Sequence, residues 1–292
     1  MAISQRLHSP MDKRPDEDLQ ELPKRIVFLS VEGNNTEKHY FNYIQKYRNR
    51  LNIEAVVHIE TLSRRSQDTC SDPESVYELL MDCLKLRSEG ILPEDIYSKL
   101  DTDSLDITID DISKFLNDEL PPDESHKISS AIRMANISLE YQNFLSNFCS
   151  KDNNDVFAII IDRDCYSHTE DQLKALFENC KANNFHCFLT NPCFEFWLLL
   201  HICDIYDEYS GNFQDLLFNQ KVSHRHTYIS SELSQRAGHS KSISDSKFVD
   251  IYLPNVDLAI ERAKKFDTDN LRLLNNLGSS IPKLFEILRE KI

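Results

Sequence analysis

The chain has 292 residues, of which 40% are hydrophobic and 28% charged, and its formal net charge is −15. These values are typical of an ordinary globular protein, and no apolar stretch approaches the ~20 residues that span a bilayer. We therefore expect no membrane segment. We also expect a cytoplasmic location with reduced thiols, because none of the eight cysteines forms a C-x-x-C pair and several lie in apolar runs.

The negative charge is concentrated in residues 91–125, which hold eleven acids against two lysines and contribute −9 of the total. Residues 221–247 carry five lysines and arginines against two acids, a local charge of +3. Contact with a polyanion requires a local basic surface rather than a basic total. The acidic total therefore does not exclude a nucleic-acid partner, and we interpret the acidic segment as a solvated helical insertion.

The chain begins with a polar segment, residues 1–23, which contains three prolines and is predicted to be a flexible leader. A buried strand is expected at 25–31, followed by a helix in which Asn34 and Glu37 have the spacing of a capping box. Later patterns predict a strand at residues 54–61, a helix at 73–88 and a helical insertion at 91–150. They then predict a strand from 156 onward, a helix at 170–182, a strand at 185–189 and a helix at 194–201.

This alternation of strands and helices predicts an α/β fold with a parallel sheet flanked by helices. Residues 24–205 are expected to form the core, with the acidic helical insertion at about 91–150. Residues 206–292 are expected to complete the same domain with a basic loop to about 250 and two further helices.

Two of the predicted strands end in acids: Glu32 follows the first, and Asp162-Arg163-Asp164 follows Val-Phe-Ala-Ile-Ile-Ile. Ligands bind beyond the carboxyl ends of parallel strands, so we expect the three acids to meet at one edge of the sheet. Residues two apart in a strand face the same side, which points the aspartates together and Arg163 away. Such carboxylates are costly to hold without a cation, so we predict a site for Mg²⁺ or Mn²⁺.

Three further residues accompany these acids. Gly33 is one of only five glycines in the chain, and its position predicts either a positive φ or a close backbone approach. Glu37 and Glu195 are candidates for a second metal or for the general base. Each also has a structural alternative, Glu37 as a capping-box acid and Glu195 as an acid favoured by the helix dipole.

Basic residues are candidates for contact with phosphate. Lys241 or Lys247 could stabilise a pentavalent phosphate, and Arg225 and His226 could contact the nucleic-acid backbone. A solvated loop position is the alternative for each of them. We interpret His201, at the end of an apolar helix, as a structural residue.

Glu-Gly after the first strand and Asp-x-Asp after a later parallel strand resemble the Toprim domain of topoisomerases, bacterial primases and overcoming-lysogenization-defect nucleases. Residues 32–41, EGNNTEKHYF, are similar to the E-G-x-x-T-E-x-x-Y-F opening of the RloB/AbiLii family. Residues 190–201, TNPCFEFWLLLH, resemble its N-P-C-F-E-x-W-L-L-L-H signature. Residues 238–241, Gly-His-Ser-Lys, lie where Tyr-x-Lys is usual in the family, with histidine in place of tyrosine. The resemblance covers roughly residues 25–60 and 155–290.

The resemblance implies a Toprim-like metal-dependent endonuclease of bacterial anti-phage defence by abortive infection. In that family the residues that match Glu32, Asp162 and Asp164 bind Mg²⁺. It further implies RNA (tRNA in particular) or DNA as substrate and a partner ATPase of the ABC/SMC type. A homo-oligomer is compatible with the sequence.

Two other functions remain open. The chain could be a non-catalytic sensor or regulatory subunit that docks on an ATPase through its acidic insertion. A primase-like nucleotidyl transferase would use the same acids, but it is disfavoured because no zinc-binding module accompanies the core.

Overall fold

The computed structural model describes residues 23–33, 35–63, 72–100, 106–151, 154–224, 226–238 and 242–292. Within these residues one sheet has the strand order β2-β1-β3-β4-β5, with β1 (Arg25–Val31), β2 (Val57–Thr61), β3 (Val156–Asp162), β4 (His186–Asn191) and β5 (Gly278–Ser279). The first four strands are parallel, and β5 pairs antiparallel with the end of β4. The predicted parallel sheet flanked by helices is confirmed, with a short antiparallel strand added at one edge.

Eight helices of the described residues precede position 203: α1 (Thr36–Lys46), α2 (Pro73–Glu89), α3 (Pro93–Tyr97), α4 (Ile109–Leu116), α5 (Pro122–Met134), α6 (Leu139–Asn147), α7 (Glu170–Ala182) and α8 (Phe194–Ile202). The C-terminal part adds α9 (Ile205–Glu208), α10 (Phe213–Phe218), α11 (Tyr228–Arg236), α12 (Asp245–Lys247), α13 (Val256–Ala263), α14 (Asn270–Leu273) and α15 (Ile281–Leu288). Short 3₁₀ turns occur at Arg48–Leu51 and Leu253–Asn255, and Phe248–Tyr252 is a π-helical turn. None of the helices that the structure describes is long and apolar enough to cross a membrane.

Alternate residues of the central strands are buried on opposite faces of the sheet. Ile26 and Phe28 of β1 belong to one hydrophobic cluster, which α2 and α7 cover. Val27 and Leu29 belong to another, which α1, α8 and the C-terminal helices cover. Burial on both faces explains why the parallel strands are continuous apolar runs rather than alternating ones.

The acidic insertion is helical and has a small apolar core of its own, formed by residues that include Ile96, Ile112, Ile128 and Ile132. Its last helix, α6, packs back against α2. The helical insertion is therefore confirmed over the part of it that the structure describes, residues 91–100 and 106–150.

The segment expected to be a basic loop, from 206 to about 250, contains the helices α10 and α11. Leu216, Ile229 and Leu233 are fully buried there, in the same cluster as α8. The loop prediction was wrong for these stretches because a few well-spaced apolar residues anchor helices whose other residues are polar. The predicted leader, residue 23 excepted, lies outside the described residues.

Candidate functional site

Glu32 lies directly after β1, at the carboxyl edge of the sheet. Its backbone N–H donates to the carbonyl of Ile160 (3.1 Å), which continues the pairing of β1 with β3. Its carboxylate makes two further bonds: Oε2 accepts from the backbone N–H of Asp162 (2.9 Å), and Oε1 lies 3.2 Å from Nε2 of His168. One carboxylate thus holds both ends of the segment that follows β3. We call residues 163–168 the β3 loop.

Asp162 is the last residue of β3, and its surroundings disfavour its charged form. Burial raises its pKa well above the usual range, and the negative charges of Glu32, Glu37 and Glu195 raise it further. A backbone hydrogen bond from Phe194, at the start of α8, acts in the opposite direction. These four acids, which β1, α1, β3 and α8 supply, are called the acid cluster below.

Gly33 leaves room for the carboxylate of Glu37. A methyl group at position 33 would overlap that carboxylate, and Gly33 is not among the glycines with positive φ. Of the two reasons predicted for this glycine, the close approach is therefore the one found. The helix α1 starts at Thr36 with Asn35 as its N-cap, which makes the buried Glu37 the second helical residue rather than the third, where a capping box needs its acid. Asn34, the expected cap, lies outside the described residues.

Glu195 reaches the cluster from the first turn of α8. This helix follows the cis peptide bond Asn191–Pro192 and Cys193. Burial raises the pKa of the Cys193 thiol, and the charge of Glu195 and a hydrogen bond to that carboxylate raise it further. The pKa of the Tyr252 phenol is also raised, first by burial and then by the charge of Glu195. The charge of Glu195 therefore acts on Cys193 and Tyr252 as well as on Asp162.

Asp164 does not continue the strand alternation from which its position was predicted. Its Oδ2 accepts from the hydroxyl of Ser167 (2.8 Å) and its Oδ1 from the backbone N–H of Tyr166 (3.3 Å). Its carbonyl accepts from the N–H groups of Ser167 and His168, each at 2.9 Å. Because β3 ends at Asp162, the rule that residues two apart share a face no longer applies at Asp164. The side chain of Asp164 instead holds the β3 loop.

His168 is the basic residue of the site that sequence reasoning missed. It is buried, which lowers its pKa, but the hydrogen bond to Glu32 and the charges of Glu32 and Asp164 outweigh this and raise the pKa overall. Its carbonyl accepts from Nη1 of Arg163 (2.7 Å), whose Nε donates to the carbonyl of Leu274 (2.8 Å). Arg163 thus points away from the acids, as predicted. The available signal for His168 was its place a few residues after Asp162-Arg163-Asp164, just before the helix cap Thr169.

The acid cluster has the oxygen donors that a hard cation needs, but its side chains are not close enough together to share one ion. Within the described ranges, no three His, Cys, Asp and Glu side chains are grouped closely enough to hold a metal ion. The donors are all carboxylate oxygens, the ligands that Mg²⁺ prefers. Each such oxygen has two lone pairs, so the hydrogen bonds of Glu32 leave coordination positions free. The residues therefore fit such an ion by their ligand type, and binding it would require their side chains to move closer together.

His201 is a structural residue, as expected. It is buried in the core, where its Nδ1–H donates to the carbonyl of Trp197 (3.0 Å) and the hydroxyl of Tyr40 donates to its Nε2 (3.0 Å). Burial lowers its pKa to about 3, which keeps the ring neutral. The histidine of the signature run thus joins α8 to α1 beneath the site.

Two of the predicted phosphate-binding residues, Arg225 and Lys241, lie outside the described residues. His226 belongs to a turn closed by a bridge between Lys221 and Thr227, and its backbone N–H donates to the hydroxyl of Ser223 (3.1 Å). Its role toward nucleic acid stays a prediction.

Lys247 is half-buried in the short helix α12, and burial lowers its pKa. In the same helix, Asp245 is bonded to Lys46 and Tyr47 at the C-terminal end of α1. That end lies about 15 Å along the helix from Glu37, at 1.5 Å per residue. The role of Lys247 toward phosphate stays a prediction.

Comparison with known proteins gives one match: the family model described as RloB-like protein matches residues 27–288. No curated protein and no solved structure matches the chain.

Proposed function

The chain belongs to the RloB-like family, and from this membership and its acid cluster we propose that it is a metal-dependent endonuclease of the Toprim type. We propose nucleic acid as the substrate, with RNA such as tRNA favoured over DNA, and a role as an effector of anti-phage defence. One observation carries the proposal: three carboxylates from separate elements, Glu32, Glu37 and Glu195, act on the Asp162 carboxylate at the carboxyl edge of the sheet.

The electrostatics of the cluster support the need for a cation. The strongest influences on the pKa of Asp162 are burial and three like charges, and the opposing one is a single backbone N–H. His168 is bonded to Glu32 rather than to Asp162. A desolvated carboxylate with three like charges around it is stable in its charged form only when positive charge is added.

The residues that would hold Mg²⁺ or Mn²⁺ are Glu32 and Asp162, with Glu37, Glu195 and Asp164 as further oxygen donors. When bound, such an ion would neutralise charge on the phosphoryl oxygens and activate or orient the attacking water. Glu32 is oriented for this role by His168 and by the N–H of Asp162. A hydrogen-bonded outer partner of this kind is typical of metal ligands.

Glu37 and Glu195 have different surroundings, which suggests different roles. Glu37 is buried and fixed against Gly33. Glu195 is partly exposed in the first turn of α8, and it is the acid that water can reach more readily. We therefore assign Glu195 the role of general base, which accepts the proton of the attacking water. Glu37 then serves as a metal ligand or as a negative charge close to the metal.

A cleavage assay tests the proposal. The full chain is incubated with tRNA, single-stranded RNA and DNA, and duplex DNA, with Mg²⁺, Mn²⁺ or a chelator. Asp162→Asn keeps the shape of the side chain but removes its charge, and Asp171→Asn, at an exposed position of α7, is the matched control. We expect cleavage by the wild type and by the control only, and only with metal. Equal cleavage by Asp162→Asn would refute the assignment.

A second candidate function is a regulatory subunit that docks on a partner ATPase of the ABC/SMC type. The observation that favours it is the acidic insertion, which has its own core. Ion pairs join this insertion to α2, between Lys85 and Asp95 (2.6 Å) and between Lys99 and Asp82 (3.7 Å). Stable binding of the ATPase without cleavage of any nucleic acid, and weaker binding after neutralisation of Asp123 and Glu124 in α5, would favour this function.

A further inference from the structure

We propose that Tyr166 is a stacking platform for a nucleobase beside the acid cluster, and that the substrate is therefore a nucleic acid with unpaired bases. This inference rests on the proposed function and names its substrate class. Tyr166 lies two residues after Asp164 in the β3 loop and belongs to none of the sequence motifs described above.

Tyr166 exposes a large aromatic surface. Its relative exposure is 68%, one of the highest among the large hydrophobic residues of the described chain. Single exposed aromatic residues are common on protein surfaces and need no explanation by themselves. Tyr166 differs from the others in its place in the loop between Asp162 and His168 and in how firmly its backbone is held.

The backbone that carries the ring is tied down on both sides. The carboxylate of Asp164 accepts from the N–H of Tyr166 and from the hydroxyl of Ser167. The carbonyl of Asp164 accepts from the N–H of His168, so the loop closes into a tight turn. A residue whose backbone is held in this way loses little backbone entropy when a ligand stacks on its side chain.

The same loop is fastened to the acid cluster at both ends. Glu32 accepts from the N–H of Asp162 before the loop and contacts the ring of His168 after it. Within the loop, Arg163 donates to the carbonyl of His168, and it also ties the loop to the carbonyl of Leu274. Tyr166 is thus an exposed residue in the middle of a loop whose two ends both contact Glu32 of the acid cluster.

A ring in this position selects for unpaired bases. In a duplex, the faces of the bases are covered by their neighbours, so an external aromatic side chain cannot stack on them. Proteins that bind single strands or loops stack unpaired bases on aromatic side chains, and this contact is tolerant of sequence. A base held on Tyr166 would present an adjacent phosphate to the acid cluster.

A fluorescence assay tests the inference through binding, independently of cleavage. The probe is a short single-stranded RNA that contains 2-aminopurine, whose emission falls when the base stacks on an aromatic ring. Titrations are made with Ca²⁺ in place of Mg²⁺, and gels confirm that the probe stays intact. Tyr166→Phe keeps the ring, Tyr166→Ala removes it, and Phe218→Ala removes another exposed aromatic residue (49% exposed) as the control.

We expect quenching and similar affinity, within about twofold, for the wild type, Tyr166→Phe and Phe218→Ala. Tyr166→Ala should bind about tenfold more weakly and without quenching, in line with the loss of one base–aromatic stack. The duplex form of the probe should bind weakly to all four proteins. Absence of quenching with the wild type, unchanged binding by Tyr166→Ala, or equal affinity for the duplex would overturn the inference.

Failure of the stacking inference can be distinguished from failure of the proposed nuclease activity. If the wild type cleaves RNA but Tyr166→Ala binds the single strand normally, the inference fails and the proposed nuclease stands. If stacking depends on Tyr166 but no nucleic acid is cleaved, the proposed activity fails and the binding site stands.

Discussion

The ring of His168 lies 3.2 Å from the carboxylate of Glu32, so the end of the β3 loop holds the acid that follows β1. The two residues are 136 positions apart in the chain, and their contact links the two strands that supply the acids. Burial lowers the pKa of His168, but the hydrogen bond to Glu32 and the charge of that acid outweigh it and raise the pKa, which favours a ring that donates to Glu32. The loop therefore orients the acid as well as connecting β3 to α7.

Replacement of His168 should weaken the site without removing an acid. We expect His168→Ala to reduce Mn²⁺ affinity or cleavage by about 10- to 100-fold, the usual effect of losing an outer partner of a metal ligand. His168→Gln keeps an N–H donor and should recover part of the loss. Calorimetric Mn²⁺ titration and cleavage rates measure both effects. Equal losses in the two variants would instead indicate a general packing defect.

Gly33→Ala should disturb Glu37 directly, because the new methyl group would overlap its carboxylate. We expect a loss of about 1–3 kcal/mol in the free energy of unfolding, typical of overpacking, together with a loss of activity. Gly211→Ala is the matched control, since a methyl group there meets no atom within 4 Å and its φ is not positive. Urea unfolding measures both. A normally stable and active Gly33→Ala protein would show that Glu37 moves aside freely.

The pairing of Gly33 with Glu37 can be tested further. If the overlap is the cause of the defect, Glu37→Ala combined with Gly33→Ala should restore stability beyond that of Gly33→Ala alone. The stability effects of the two substitutions should then be non-additive, as contacting residues usually are. Additive losses would mean that residue 33 is constrained by something other than Glu37.

The sheet and the convergence of the acids could be predicted because local patterns determine them. Apolar runs long enough for buried strands end at Val31 and Asp162, and parallel topology brings such ends together. The β3 loop could not be predicted in the same way. Whether Asp164 shares a face with Asp162 depends on where the strand stops, and the contact of His168 with Glu32 depends on the path of the loop.

The C-terminal region shows a second limit of sequence reasoning. Ile229 and Leu233 of α11 are fully buried, yet they are four apart in a polar stretch and form too weak a pattern to predict a helix. Their burial depends on the apolar surface of α8, which the local sequence of α11 does not reveal. Tertiary packing decides the structure there.

The buried His201 should make the folded state sensitive to acid. Its pKa is about 3 in the folded chain, against 6.5 when exposed. Above about pH 6.5 the ring is neutral in both states and the pH has no effect through it. Below that value only the unfolded state binds the proton, so stability should fall by about 1.4 kcal/mol per pH unit until about pH 3.

This prediction is measured as the slope of the free energy of unfolding between pH 7 and pH 5. Other groups also titrate in this range, so the slope of wild type is compared with that of His201→Gln, which has no ring to protonate. The variant should show a shallower slope, whatever its stability at pH 7. Parallel slopes would mean that His201 binds protons alike in the folded and unfolded states and that its pKa is not lowered by folding.

The central claim is that the acid cluster around Asp162 is a centre for a divalent cation. Calorimetric titration of the metal-free chain with Mn²⁺ tests it most directly, with Asp162→Asn and the surface control Asp171→Asn alongside. Without metal, Asp162→Asn should unfold at a higher temperature than the wild type, because a buried charge among like charges has been removed. With Mn²⁺, the wild type and Asp171→Asn should bind the ion and gain stability, and Asp162→Asn should bind at least about tenfold more weakly. Equal Mn²⁺ affinity in Asp162→Asn and wild type, or no binding by the wild type, would contradict the claim.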